Sequence, residues 1–146
     1  MRYFFILALS LNFLYMNSQE NLPFYEISNY PESYSEAEIV GRMIDGLGFR
    51  YYWATEGLTE KDLNFRLPND SRSSIETVVH IYDLSNMILN TALNSPIEKK
   101  STEGMEFKEI REKTLFNLKE ASDIFNTIST SDNFEEFLTL PAYKLL

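Results

Sequence analysis

One histidine stands in this chain, His80, with Glu76 four residues before it and Asp83 three after it. On a helix, residues three and four apart face each other across one turn. An imidazole beside two carboxylates can share a divalent cation or a proton. The functional reading makes His80 a metal ligand supported by Glu76 or Asp83. The plainer reading makes it a partly buried histidine hydrogen-bonded to Glu76.

Several features weigh against a complete metal centre. The Glu-x-x-His pattern of di-iron bundles is spaced i,i+3, whereas Glu76 to His80 is i,i+4. Glu76 also follows Ser73 by three residues, where a capping box claims its carboxylate. A catalytic zinc takes three protein ligands and keeps one position open. With one histidine and no cysteine, the remaining ligands would have to be carboxylates. H-E-x-x-H, a G-x-S-x-G elbow and a phosphate-binding glycine loop are absent from the sequence. Tyr51, Tyr52 and Trp53 could wall a pocket, although such residues more often pack the end of a bundle. No catalytic residue is assigned.

The elements that must position His80 are helical, and the spacing predicts three long ones. The first starts at Ser35, whose Ser35-Glu36-Ala37-Glu38 fits a capping box. Val40, Met43, Ile44, Leu47, Tyr51 and Ala54 follow at spacings of three and four, which places them on one face. Gly46 and Gly48 each cost about 1 kcal/mol of helix propensity, so close packing against another helix is expected there. Gly57 fits a C-terminal cap. Residues 59–63 fit one short turn, and Leu67-Pro68-Asn69-Asp70 forces a break. The second long helix starts at the Ser73 capping box and carries a core stripe of Ile75, Val78, Val79, Tyr82, Leu89 and Leu93. Ile81, Leu84 and Ile88 form a second apolar stripe, as expected of a helix packed between neighbours. Pro96 is expected to end it. The third covers residues 105–128, with Phe107, Ile110, Thr114, Leu118, Ala121, Phe125 and Ile128 inward. After a Ser129-Thr130-Ser131-Asp132 loop, Phe134, Phe137, Leu138, Leu140, Tyr143, Leu145 and Leu146 form an apolar tail that is expected to cover an open side.

The fold class read from this pattern is all-α, an up-and-down four-helix-bundle type with three long antiparallel helices and the last helix missing or truncated. Three regions are expected: residues 1–18 as a signal peptide, 19–32 as an N-terminal arm and 33–146 as the bundle domain. The leader reading rests on Arg2, the apolar run over residues 3–14 and the polar switch at Gln19. Met16 fits the small-residue cleavage rule poorly, and an uncleaved anchor is the alternative. The run is shorter than the roughly 20 residues of a membrane span. Export to the periplasm or outside the cell follows, with no membrane association after signal removal. A formal charge of −9 is no nucleic-acid footprint, which takes clustered Lys and Arg. The absence of cysteine excludes thiolate ligands, thiol nucleophiles and disulfides, which a domain of this size does not require.

The ordered set Tyr51-Tyr52-Trp53, Leu58-Thr59-Glu60-Lys61-Asp62-Leu63, Ser73-Ser74-Ile75-Glu76-Thr77-Val78-Val79-His80 and Arg111-Glu112-Lys113-Thr114-Leu115, with Leu118 and Ala121-Ser122, resembles the DinB-like (damage-inducible) family of metal-binding helical bundles. The likeness covers residues 34–128. It implies an often dimeric four-helix bundle holding a divalent metal, zinc or nickel, through three histidines, and some relatives act as thiol-dependent S-transferases or hydrolases. His80 matches the ligand of the second helix. The family's other two ligands, an H-x-x-x-H on the last helix, have no counterpart here, so no metal is expected in the chain as it stands. The alternative function is a non-catalytic exported helical module that binds a partner or ligand.

Overall fold

A computed structural model of the chain describes residues 22–27, 29 and 34–129. The expected leader (residues 1–18) and the apolar tail from Phe134 lie outside the described residues. The described residues form helices α1 (Glu36–Thr55), α2 (Glu60–Leu63), α3 (Ser74–Ala92) and α4 (Phe107–Ser129). No strand occurs among them, only an isolated bridge between Arg66 and Ser73.

Three of these starts are fixed by reciprocal capping boxes, at Ser35/Glu38, Thr59/Asp62 and Ser73/Glu76. In each, a hydroxyl accepts from the N3 amide while the N3 carboxylate accepts from the cap amide, satisfying two orphan donors. The ends follow backbone chemistry. Gly57 takes a φ of +72°, which a residue without Cβ adopts freely. Asn69 and Asp70, at φ 70° and 54°, make the predicted break. The end of α3 is a correction: it stops at Ala92, ahead of Pro96, where Asn94 turns left-handed at φ 51°. Asparagine tolerates that conformation better than most side chains.

Helix α4 is the centre of the molecule and packs against both α1 and α3. Contacts between α1 and α4 run from Thr55–Arg111, separated by 56 residues, to Gly41–Ser122, separated by 81. A separation that grows along the helix means an antiparallel pair. Between α3 and α4 the separation stays at 31 to 32, at Asn86–Asn117 and Ser85–Asn117. Val78 and Tyr82 pack with Ile110 near the helix starts, while Leu89 and Ala92 join Leu118 and Ala121 further along. A constant separation means a parallel pair. The expectation of alternating directions therefore holds from α1 to α3 and fails from α3 to α4, which leaves α4 antiparallel to α1. The physical reason is the segment 93–106, which is long enough to return along α3. A helix of 19 residues is roughly 28 Å long at 1.5 Å per residue, within the span of that segment when extended.

The main core joins Leu115, Leu118 and Ala121 of α4 to Ile44 and Tyr51 of α1, Leu89 and Ala92 of α3, and Phe24 of the arm. The predicted inward face of α4 is correct at Ile110, Thr114, Leu118 and Ala121. On α1 the buried face is rotated from the predicted one. Ala37, Gly41, Ile44, Asp45, Gly48, Tyr51 and Thr55 are buried, while Val40, Met43, Leu47 and Ala54 are exposed. Small and polar residues face α4 because the two helices approach closely and share hydrogen bonds. The Ser122 hydroxyl donates to buried Asp45 at 2.6 Å, and its oxygen lies 3.3 Å from the Gly41 carbonyl. Leu93 of the α3 stripe is also exposed.

Gly48 meets the arm rather than a helix. A Cβ there would lie 2.5 Å from the buried Phe24 ring. Gly48→Ala should displace that ring at roughly 1–3 kcal/mol, offset by about 1 kcal/mol of helix propensity. In a Phe24→Ala background the same change should turn stabilising by about 0.5–1 kcal/mol. Urea unfolding of the four proteins measures this, and an unchanged sign would show that the arm does not pack on α1.

Candidate functional site

The ends of α1 and the starts of α3 and α4 meet at one end of the bundle, and every candidate chemical residue named above lies there or within two turns of it. His80 occupies the second turn of α3 and is exposed. No hydrogen bond links its imidazole to another described residue. The expected hydrogen bond from His80 to Glu76 is not made, because Glu76 is held elsewhere. That carboxylate accepts from the Ser73 amide at 2.7 Å and from Arg66 through both oxygens at 2.8 Å. The Ser73 amide first, and Arg66 second, hold Glu76 below the ordinary carboxylate pKa. The carboxylate is thus committed to the cap and to Arg66, and His80 has neither the hydrogen bond to Glu76 nor the partial burial of the plainer reading. Asp83 is half-buried on the next turn. Among the described residues no group of three His, Cys, Asp or Glu side chains is placed to hold a metal ion. The described residues do not fit the metal that the resemblance implies, so no chemical step is derived through one.

The aromatic run divides. Tyr51 turns inward, and its hydroxyl is buried without an aligned hydrogen-bond partner. Burial raises its pKa, partly offset by the nearby Thr114 hydroxyl and the Arg111 guanidinium. Tyr52 and Trp53 pack outward against Tyr25 of the arm, with ring centroids 5.3–5.8 Å apart, and the Trp53 indole donates to the Tyr25 carbonyl. This is packing of a bundle end, not a pocket wall.

Arg111 is the group that the inward-face assignment overlooked. It is 8% exposed. Its Nε donates to Thr55 Oγ1 at 2.9 Å, and its terminal nitrogen donates to the Tyr52 carbonyl and to Glu56. The guanidinium carbon lies 4.6 Å from the centre of the Tyr52 ring, within cation–π range. This set clasps the start of α4 to the end of α1. Its signal was present in the sequence: Arg111 falls at i+4 from Phe107 and i−4 from Leu115, on the inward face.

A concavity runs between α1 and α3. Val40, Met43, Ile44 and Leu47 form one wall; Leu84, Met87, Ile88 and Thr91 form the other; Phe125 of α4 lies at the floor. It encloses about 670 Å³. Met43 is 70% exposed and Met87 43%, well above the usual burial of large apolar residues. The second apolar stripe predicted on α3 is real, yet the neighbour it was expected to meet is replaced by this groove. His80, Leu84, Met87 and Thr91 recur at spacings of four, three and four, so the histidine continues one wall by a single turn toward the start of α3.

No described helix is long and apolar enough to cross a membrane. Comparison with protein-family models, with curated proteins and with solved structures returned no match.

Proposed function

We propose that the chain is an exported helical-bundle protein of the DinB-like kind, related to metal-dependent thiol S-transferases or hydrolases, that keeps one metal-ligand position, His80. The observation that carries this reading is the alignment of an exposed imidazole, without a hydrogen bond to any other described residue, with an apolar groove. A helix seated in the groove and continued past its end would bring its own side chains over His80. That is the relation the resemblance implies between the second-helix histidine and an H-x-x-x-H on the last helix. Substrate-contacting residues are not assigned, because one imidazole supplies neither a metal centre nor an acid–base pair.

Appending an amphipathic helix after Leu146 that carries two histidines four residues apart tests the reading. Zinc should then bind tightly at one per chain, and His80→Ala should abolish that binding, since a stable site takes about three protein ligands. Tight zinc binding that survives His80→Ala contradicts the assignment. Export is tested separately by mass spectrometry of the protein from its native host, where a new N-terminus between about residues 17 and 21 is expected; an intact Met1 in the cytosol contradicts it. The second reading, a non-catalytic module that binds a partner or ligand, is favoured by the groove alone. It predicts that His80→Ala leaves function unchanged while a charge placed at Met43 or Met87 removes it.

A further inference from the structure

The apolar groove beside α4 calls for an occupant, and we infer that it is the chain's own C-terminal segment, residues 134–146. Three observations point to it. The first is position. The end of α4 lies at the Val40 and Thr91 end of the groove, because α4 runs antiparallel to α1 and parallel to α3. Phe125, one turn before the end of α4, already lies on the groove floor. The second is reach. Residues 130–133 span up to roughly 13 Å extended, enough to cross the 8–10 Å between packed helix axes. On α1 the groove runs from Val40 to Leu47, about 10 Å at helical rise, and residues 134–140 cover the same length as helix. The third is pattern. Asp132 and Glu135 are spaced as a capping box. At helical spacing Phe134, Phe137 and Leu138 would share one face and Glu135 and Glu136 the other, and Pro141 is a residue that ends such a turn. The segment thus offers a short apolar face of the length that the groove leaves uncovered. This inference does not depend on the metal reading, since it concerns the walls of the groove and not His80.

The test uses the full chain, which has no native cysteine. Two pairs are made, Met87→Cys with Leu138→Cys and Met43→Cys with Leu138→Cys, one from each wall. A control pair joins Met87→Cys to Glu136→Cys, on the opposite face of the segment. Met43 and Met87 are exposed, so these substitutions should leave helicity by circular dichroism unchanged. Under mild oxidation, at least one Leu138 pair should close within a single chain about tenfold faster than the control, because a disulfide forms only when the two Cβ atoms come within about 4 Å. Equal rates in all three pairs, or no closure with helicity retained, would overturn the inference. Cross-links that join two chains would overturn it in favour of a second copy in the groove.

Discussion

Leu118→Ala should lower the stability of the fold by about 2–5 kcal/mol, the range for deleting a buried leucine side chain when the surroundings collapse only in part. Leu118 is 1% exposed and sits where α4 meets both α1 and α3. Neither neighbour can close the cavity without moving away from the other. Phe116, on the same helix, is 49% exposed, and its replacement by alanine should cost less than about 1 kcal/mol, as most surface changes do. Urea unfolding with a common slope gives both values. A Leu118→Ala cost below about 0.5 kcal/mol would show that α4 is not the central helix.

Arg111→Met should cost roughly 1.5–3 kcal/mol, the worth of hydrogen bonds made by a charged group, because it removes the guanidinium's hydrogen bonds to Thr55 Oγ1 and to the Tyr52 carbonyl. Glu56 is a lesser partner. Its side chain is 48% exposed, so solvent screens the pair, and Glu56→Gln should cost less than about 1 kcal/mol. The stabilisation therefore lies in the buried hydrogen bonds and the stacking on Tyr52. Equal costs for the two substitutions would place it in the ion pair instead and contradict this geometry.

Local structure was legible wherever one short motif decided it. The Ser35 and Ser73 boxes set two helix starts, and the Pro68-Asn69-Asp70 break fell where expected. What required tertiary information was the direction and rotation of the helices. Helical spacing alone cannot tell which of two apolar stripes a neighbour will take. On α1 the contact with α4 is made through Gly41 and Asp45, whose small or polar side chains carry no hydrophobic signal, so the stripe of Val40, Met43 and Leu47 was read as core and proves to line the groove. The parallel run of α3 and α4 was hidden for a similar reason. A segment such as 93–106 has no periodicity, and only contacts such as Asn117 with Ser85 and Asn86 show that it crosses the length of the bundle. His80 was correctly placed on the second long helix. Its hydrogen bond to Glu76 is not made: the capping box legible at Ser73 takes that carboxylate, and Arg66, ten residues before Glu76 in sequence, adds a contact that only the fold brings about.

The central claim is that His80 is a ligand position standing alone, with its chemistry dependent on groups brought in along the groove. Zinc calorimetry on the 146-residue chain, beside its His80→Ala variant, tests this most directly. Weak binding or none is expected for both proteins, since one imidazole beside a Glu76 carboxylate already held by Ser73 and Arg66 falls short of the three ligands that a stable site takes. A stoichiometric, submicromolar site in the unaltered chain that disappears with His80→Ala would contradict it.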